Sequence, residues 1–137
     1  MYVLDTNVVS ELRKAGRADS NVVAWANKVA TGTLYISAVT LLEIELGILS
    51  LERRDQPQAS NLRVWMQSHV LPAFEGRVLP VDTAVALQCA QLHVPNRRAE
   101  RDALIAATAI VHGMTVVTRN VGDFEGTGAL LINPWGP

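Results

Sequence analysis

The sequence predicts an α/β fold of three layers, with a central, mostly parallel sheet flanked by helices. Two observations carry this reading. Short apolar runs alternate with longer stretches of helical periodicity along the chain, the pattern of βαβ units joined by right-handed crossovers. The chain also has the size and composition for one core: 137 residues, 49% hydrophobic and 18% charged, without a repeat or a low-complexity stretch. Residues 1–137 therefore read as a single domain.

Taken in order, Tyr2-Val3-Leu4 is a buried strand that ends at Asp5-Thr6-Asn7. Val8, Val9 and Leu12 follow at helical spacing. Ser20 caps a second helix through Val23, Trp25, Ala26 and Val29, which stops near Gly32. Leu34-Tyr35-Ile36 is the next strand. Ser37 or Thr40 then opens a strongly apolar helix over residues 39–51, broken by Arg53-Arg54-Asp55-Gln56-Pro57. Another helix covers residues 59–70, before Pro72. Arg77 to Val81 forms a strand that Pro80 pushes toward a sheet edge. Asp82-Thr83 starts a helix reaching His93, and residues 99–112 form one that stops at Gly113. Thr115 to Thr118 is a buried strand; a loop over 119–128, a last strand over 129–132 and a tail over 133–137 complete the chain.

Composition removes several chemistries. Twelve Lys and Arg against thirteen Asp and Glu give a net charge of −1, so any nucleic-acid contact must rest on a local patch. The single Cys89 excludes an intramolecular disulfide and a Cys-rich zinc site, and reads as a core residue. Lys14 and Lys28 are the only lysines, and neither lies in a Gly-rich phosphate loop. His69, His93 and His112 show no HExxH pairing, and no GxSxG elbow raises a serine. No basic–apolar leader opens the chain, and no apolar run approaches the ~20 residues of a membrane span. A soluble, cytoplasmic protein with no membrane partner is expected.

What remains rich is carboxylate, and four acids stand apart. Asp5 follows a buried strand, at the carboxyl edge where open α/β sheets place ligands. It is equally a helix cap, and Val81-Asp82-Thr83 repeats the form of Leu4-Asp5-Thr6, so the tripeptide alone marks no site. On a wheel of about 100° per residue, Glu43 shares an arc with Thr40, Gly47 and Ser50. Glu45 points about 200° away, near Glu52, so the two glutamates cannot share a function. The small, polar stripe on an otherwise apolar helix predicts a buried polar pocket around Glu43. Asp102 lies in the first turn of a helix that is apolar all round apart from Thr108. Helix-dipole stabilisation of ~0.3–1 kcal/mol is small beside the several kcal/mol of desolvating an ion. Asp102 thus requires a partner: Arg98, Arg101 or a cation. Asp123, after the strand ending at Thr118, reads by itself as a turn residue. Brought together, the four would repel one another, and a hard divalent ion such as Mg²⁺ or Mn²⁺ removes that conflict. Their convergence is assumed at this point. Setting them aside leaves nine acidic against twelve basic residues, an acidic centre in a mildly basic shell.

The segments Val3-Leu4-Asp5-Thr6-Asn7-Val8-Val9-Ser10-Glu11, Ile36 to Ile48, Asp102 to Ala109, Val116 to Phe124 and Ile132-Asn133-Pro134-Trp135 match a known pattern in order and spacing. The chain resembles the PIN-domain nucleases, and among them the VapC-like toxins of bacterial toxin–antitoxin pairs, in particular the FitB-like branch. The resemblance implies that Asp5, Glu43, Asp102 and Asp123 form an acidic Mg²⁺ or Mn²⁺ site, with Thr6, Asn7 and Thr118 as polar helpers. Asn120 stands where many relatives carry another acid. The implied reaction is hydrolysis of RNA by metal-activated water, leaving a 5′-phosphate and a 3′-hydroxyl. The implied partners are a cognate antitoxin and a second copy of the chain in a homodimer. Arg98 and Arg101 beside Asp102, and Arg119 near Asp123, are candidate phosphate contacts. Arg13, Lys14 and Arg17 read as a solvated face, and the three Trp residues are too dispersed for a stacking platform. The alternative is a catalytically silent PIN-like module that binds nucleic acid or protein, against which the presence of all four acids argues.

Overall fold

Val3 and Leu4 are neighbours in the chain, both fully buried, and they belong to different cores. That is the signature of a strand covered on both faces. The computed structural model describes residues 1–14 and 16–136; Pro137, the last residue of the expected tail, lies outside them. Strands β1 (Tyr2–Leu4), β2 (Leu34–Ser37), β3 (Val78–Leu79), β4 (Thr115–Val117) and β5 (Leu130–Ile132) form one parallel sheet in the order β3-β2-β1-β4-β5. The expectation of a mostly parallel sheet is met by one that is parallel throughout. β3 is an edge strand, as Pro80 requires, and is shorter than the five residues expected because Pro80 has no N–H to extend the ladder.

Helices α1 (Thr6–Leu12), α2 (Ser20–Lys28), α3 (Ala38–Glu52), α4 (Gln56–Trp65), α5 (Leu71–Ala73), α6 (Thr83–Leu92) and α7 (Glu100–His112) cover the sheet. One face packs Leu4, Leu34, Ile36 and Val117 against α1, α3 and the end of α4. The other packs Val3, Leu79 and Val116 against α7, with Phe124 beneath the loop after β4. A smaller cluster of Val85, Cys89, Ala103 and Ala107 holds α6 onto α7. Among the described residues no helix is long and apolar enough to cross a membrane.

Two boundaries differ from expectation, for local reasons. The helix expected over 59–70 begins at Gln56, because the Asp55 side chain accepts from the Gln58 N–H and Pro57 sits in the first turn, where its missing N–H is not needed. It also does not end before Pro72. Residues Met66–Val70 form a π turn that runs directly into α5, where Pro72 again occupies a first turn. The second helix departs from expectation as well: Asp19, not Ser20, caps α2, its carboxylate accepting from the Asn21 and Val22 N–H groups, because Asp19 stands one residue before the first helical turn. At α3 and α7 the ends are as the sequence suggests. Ser37 accepts from the Val39 N–H to start α3, and Gly113 closes α7 in the left-handed region, with φ 66°.

Candidate active site at the carboxyl edge of the sheet

In the strand order, β1 leads through β2 to β3 on one side, while β4 lies on its other side. Crossovers therefore diverge between β1 and β4, and the crevice beyond their carboxyl ends is where such sheets hold ligands. Asp5 comes from the end of β1 and Thr118 from the end of β4. They meet there: the Thr118 hydroxyl donates to Asp5 Oδ2 at 2.8 Å. The Asp5 main-chain N–H bonds to the Val117 carbonyl at 2.9 Å, so the β1–β4 ladder itself fixes this carboxylate.

Asp5 is also the cap of α1, its Oδ1 accepting from the Thr6 N–H at 2.8 Å. The two readings of the residue are not alternatives. Its twin Asp82 caps α6 through the Val85 N–H and is exposed, whereas Asp5 is buried. Burial, opposed by the Thr118 and Thr6 hydrogen bonds and reinforced by the charges of Glu43 and Asp123, pushes the Asp5 carboxyl above the usual aspartate range.

Thr6 ties Asp5 to Glu43. Its main chain serves the first, and its hydroxyl donates to Glu43 Oε1 at 2.7 Å. Thr40, fully buried on the same face of α3, lies 3.4 Å from that hydroxyl. The stripe read from the wheel is therefore real, but its surroundings differ from expectation. Glu43 is half-buried and lines an open cleft of about 240 Å³ with Thr6, Ser10, Arg13, Gly47 and Trp65, instead of an enclosed pocket. Glu45, on the far side of α3, pairs with Arg63 of α4, which also reaches Glu52.

Asp102 opens α7 on the other side of the crevice. Its carboxyl is pushed up to about 6, first by burial and then by the negative charges of Asp5, Asp123 and Glu43. Neither arginine considered as its partner takes that role. Arg101 lies 3.6 Å from Glu43 Oε2 and only modestly offsets the charge at Asp102. Arg98, expected at phosphates, donates from Nε to the Leu92 carbonyl at 3.2 Å and from Nη1 to the Glu125 carbonyl at 2.9 Å, bracing two loops. Asp123 lies in a single 3₁₀ turn, Val121–Asp123, exposed, with its charge acting on both Asp5 and Asp102.

The remaining polar residues form a scaffold. Asn7 Nδ2 sits 3.5 Å from both Asp5 Oδ2 and Thr118 Oγ1, and Asn7 Oδ1 accepts from the Arg119 N–H at 3.4 Å. Asn120 acts through its main chain, donating to Thr118 Oγ1 at 3.0 Å. Arg119 is exposed and lies over the Trp135 ring at 5.2 Å. Two features were not read from sequence. Arg13, placed in a solvated face, lies over Trp65 at 5.7 Å, and the two wall the cleft beside Glu43. Glu11 is buried at the end of α1 and accepts from the Asp19 N–H at 2.8 Å and Lys14 Nζ at 3.0 Å, which hold its carboxyl below the usual range. An acid following Val8 and Val9 was the only signal for it.

Four carboxylates from four separate segments thus act on one another electrostatically at one edge of the sheet. The donor set is all oxygen, and two of its members, Asp5 and Asp102, are held above the usual aspartate range first by burial and then by the charges of neighbouring acids. Such a set fits a hard divalent cation, whose charge removes the repulsion.

The comparisons with known proteins agree with this geometry. The PIN domain family model matches residues 2–128. VapC ribonuclease Y4jK of Sinorhizobium fredii is 39% identical over 142 residues, covering 100% of this chain and 99% of its own. Toxin FitB of Neisseria gonorrhoeae is 36% identical over 140 residues, covering 98% and 99%. The solved structure of FitAB bound to an IR36 DNA fragment superposes with a TM-score of 0.89 at 37% identity, covering 100% of this chain and 97% of that one. The crevice acids, the sheet order and these likenesses lead to one conclusion: the chain belongs to the PIN-domain family, alongside the VapC and FitB toxins.

Proposed function

We propose that this protein is the toxin of a toxin–antitoxin pair and an endoribonuclease that depends on Mg²⁺ or Mn²⁺. The observation that carries the reading is the convergence of Asp5, Glu43, Asp102 and Asp123, with burial and mutual repulsion raising the Asp5 and Asp102 carboxyls. A divalent ion held by these acids supplies a nucleophile from water at neutral pH and neutralises charge on the phosphodiester.

The chain's own residues do the rest. Thr118 and the Thr6 N–H hold the two oxygens of Asp5 in place, and the Thr6 hydroxyl holds Oε1 of Glu43. Glu43 orients the attacking water and takes up its proton at Oε2. Arg101, which faces that oxygen in the free protein, turns to a phosphate oxygen with Arg119. As the water oxygen bonds to phosphorus, the bond from phosphorus to the 3′-oxygen breaks, and that oxygen takes a proton from solvent, giving a 5′-phosphate and a 3′-hydroxyl. A cognate antitoxin regulates the enzyme, which works as a homodimer in the cytoplasm. Support for the partner comes from relatives named as a VapC ribonuclease and a FitB toxin, and from the FitAB assembly on DNA.

The test is cleavage of structured and single-stranded RNAs by purified protein, with Mn²⁺ or with EDTA. Cleavage should require the metal and fall by at least ~100-fold in Asp5→Asn, the scale of losing a group essential to the chemistry. Cleavage that ignores EDTA, or that survives Asp5→Asn combined with Asp102→Asn, would sink the metal mechanism. Tight RNA binding without turnover under any divalent ion would make the protein a binding module instead.

A further inference from the structure

A second constellation of ligating groups lies outside the acidic crevice, on the seam between α6 and α7. Cys89 and His93 are four residues apart at the end of α6 and so share a face. Glu100 is the first residue of α7, about 200° around that helix from Asp102. Cys89 Sγ is 3.8 Å from His93 Nε2, and Glu100 Oε2 is 2.9 Å from the same nitrogen. One ligating atom from each residue lies within 4.8 Å of the other two. A tetrahedral zinc ion, with bonds of about 2.0–2.3 Å, spaces its ligand atoms roughly 3.3–3.5 Å apart. The two separations at His93 thus need adjustments of about 0.4 Å, and the Cys89–Glu100 separation, within 4.8 Å, closes by at most about 1.3 Å through the rotatable side chain of exposed Glu100. The three residues also line a cavity of about 380 Å³ with Ala86, Ala90, Arg97 and Leu104, open to solvent and large enough for a water as fourth ligand.

We propose that Cys89, His93 and Glu100 form a binding site for a thiolate-preferring divalent ion, Zn²⁺ being the best match. The ligand classes separate this site from the crevice: sulfur and imidazole nitrogen favour zinc, whereas four carboxylates favour Mg²⁺ or Mn²⁺. Burial and the Glu100 charge push the Cys89 thiol up, so the sulfur is poorly suited to act as a free nucleophile.

The hydrogen bonds say what loading must change. The Arg98 N–H donates to His93 Nδ1 at 3.1 Å, so in the free protein the imidazole proton sits on Nε2 and faces Glu100. An ion on Nε2 moves that proton to Nδ1, which can then no longer accept from Arg98. The thiol proton leaves to solvent. Loading therefore releases the Arg98 amide, in the residue whose guanidinium braces Leu92 and Glu125. This site and its test are independent of the proposed nuclease reading.

Titrating the full-length chain with Co²⁺ as an optical probe, in excess Mg²⁺ to fill the crevice, tests the site. A thiolate-to-cobalt charge-transfer band with tetrahedral visible bands is expected, with Zn²⁺ displacing the Co²⁺. The band should persist in Asp5→Asn and vanish in Cys89→Ser, and Co²⁺ affinity should fall roughly tenfold or more in His93→Gln and in Glu100→Gln. Because Cys89 is buried, the two half-exposed or exposed positions decide the matter if Cys89→Ser does not fold. In amide NMR, Zn²⁺ should shift the Arg98 resonance in the wild type and not in His93→Gln. Absence of the band, a band that survives Cys89→Ser, or an unmoved Arg98 amide at zinc saturation would overturn the proposal.

Discussion

Replacing Asp102 by Asn removes a charge while keeping the shape of the side chain. The folded state raises this carboxyl from 3.8 to about 6. A shift of about two units corresponds to roughly 3 kcal/mol, at ~1.4 kcal/mol per unit. The group is only partly buried, and solvent screening reduces that to roughly 1–1.5 kcal/mol. The sign follows from the direction. With its pKa raised on folding, Asp102 contributes most to stability below pH 3.8, where it is protonated in both states, and that contribution is lost as the pH rises through about 6. At pH 8 without metal, Asp102→Asn is therefore expected to be more stable than the wild type by about 1 kcal/mol, or roughly 3–5 °C in Tm. Near pH 4 the difference should largely disappear. Saturating Mn²⁺ should reverse the order at pH 8, since a ligand at a hundred times its Kd stabilises the wild type by about 2.7 kcal/mol and the variant has lost a ligating group. Urea and thermal unfolding followed by circular dichroism, in EDTA and in Mn²⁺, measure all of this. A variant less stable than the wild type at pH 8 in EDTA, or the same difference at both pH values, would refute the electrostatic account of the crevice.

Three further outcomes follow from other parts of the structure. Thr118→Val deletes a fully buried hydroxyl that donates to Asp5 and accepts from the Asn120 N–H; unfolding should show a loss of roughly 1–3 kcal/mol, and Thr118→Ser should restore stability and RNA cleavage together. Arg63→Ala separates α4 from Glu45 and Glu52, a solvent-screened surface network, so a urea titration should record little change in midpoint, with cleavage unchanged. Gly113→Ala forces a side chain into a left-handed position with φ 66°, and although no atom blocks the new Cβ, thermal unfolding should register a cost of roughly 1–2 kcal/mol with activity retained.

How much of this was legible in the sequence depended on how local the cause was. The α3 wheel separated Glu43 from Glu45 correctly because helical angle is a property of spacing alone; the pairing of Glu45 with Arg63 of α4 was not legible, since it depends on how two helices pack. Asp5 and Asp82 were indistinguishable on paper, since both cap a helix after a strand. Only the β1–β4 pairing buries one and leaves the other in water. Of the three partners left open for Asp102, the two arginines fail for the same reason: Arg98 and Arg101 are close in sequence, but their guanidiniums reach across to the Glu125 carbonyl and to Glu43. Pro72 looked like a helix stop, and the π turn before it was invisible because the preceding residues carry no breaker. Cys89, read as a plain core residue, is buried as expected, yet its neighbour His93 ties the end of α6 to the Arg98 N–H and to Glu100 of α7, contacts that periodicity cannot foresee.

The central position of β1 has a consequence for how the chain comes to life. Its carboxylate at residue 5 is made well before the carbonyl of Val117 and the hydroxyl of Thr118 that hold it, which lie more than a hundred residues further along the chain. A nascent chain that has emerged only to residue 110 carries Asp5, Glu43 and Asp102 but has neither β4 nor Asp123 to gather them. The four acids are therefore gathered only when β4 inserts beside β1.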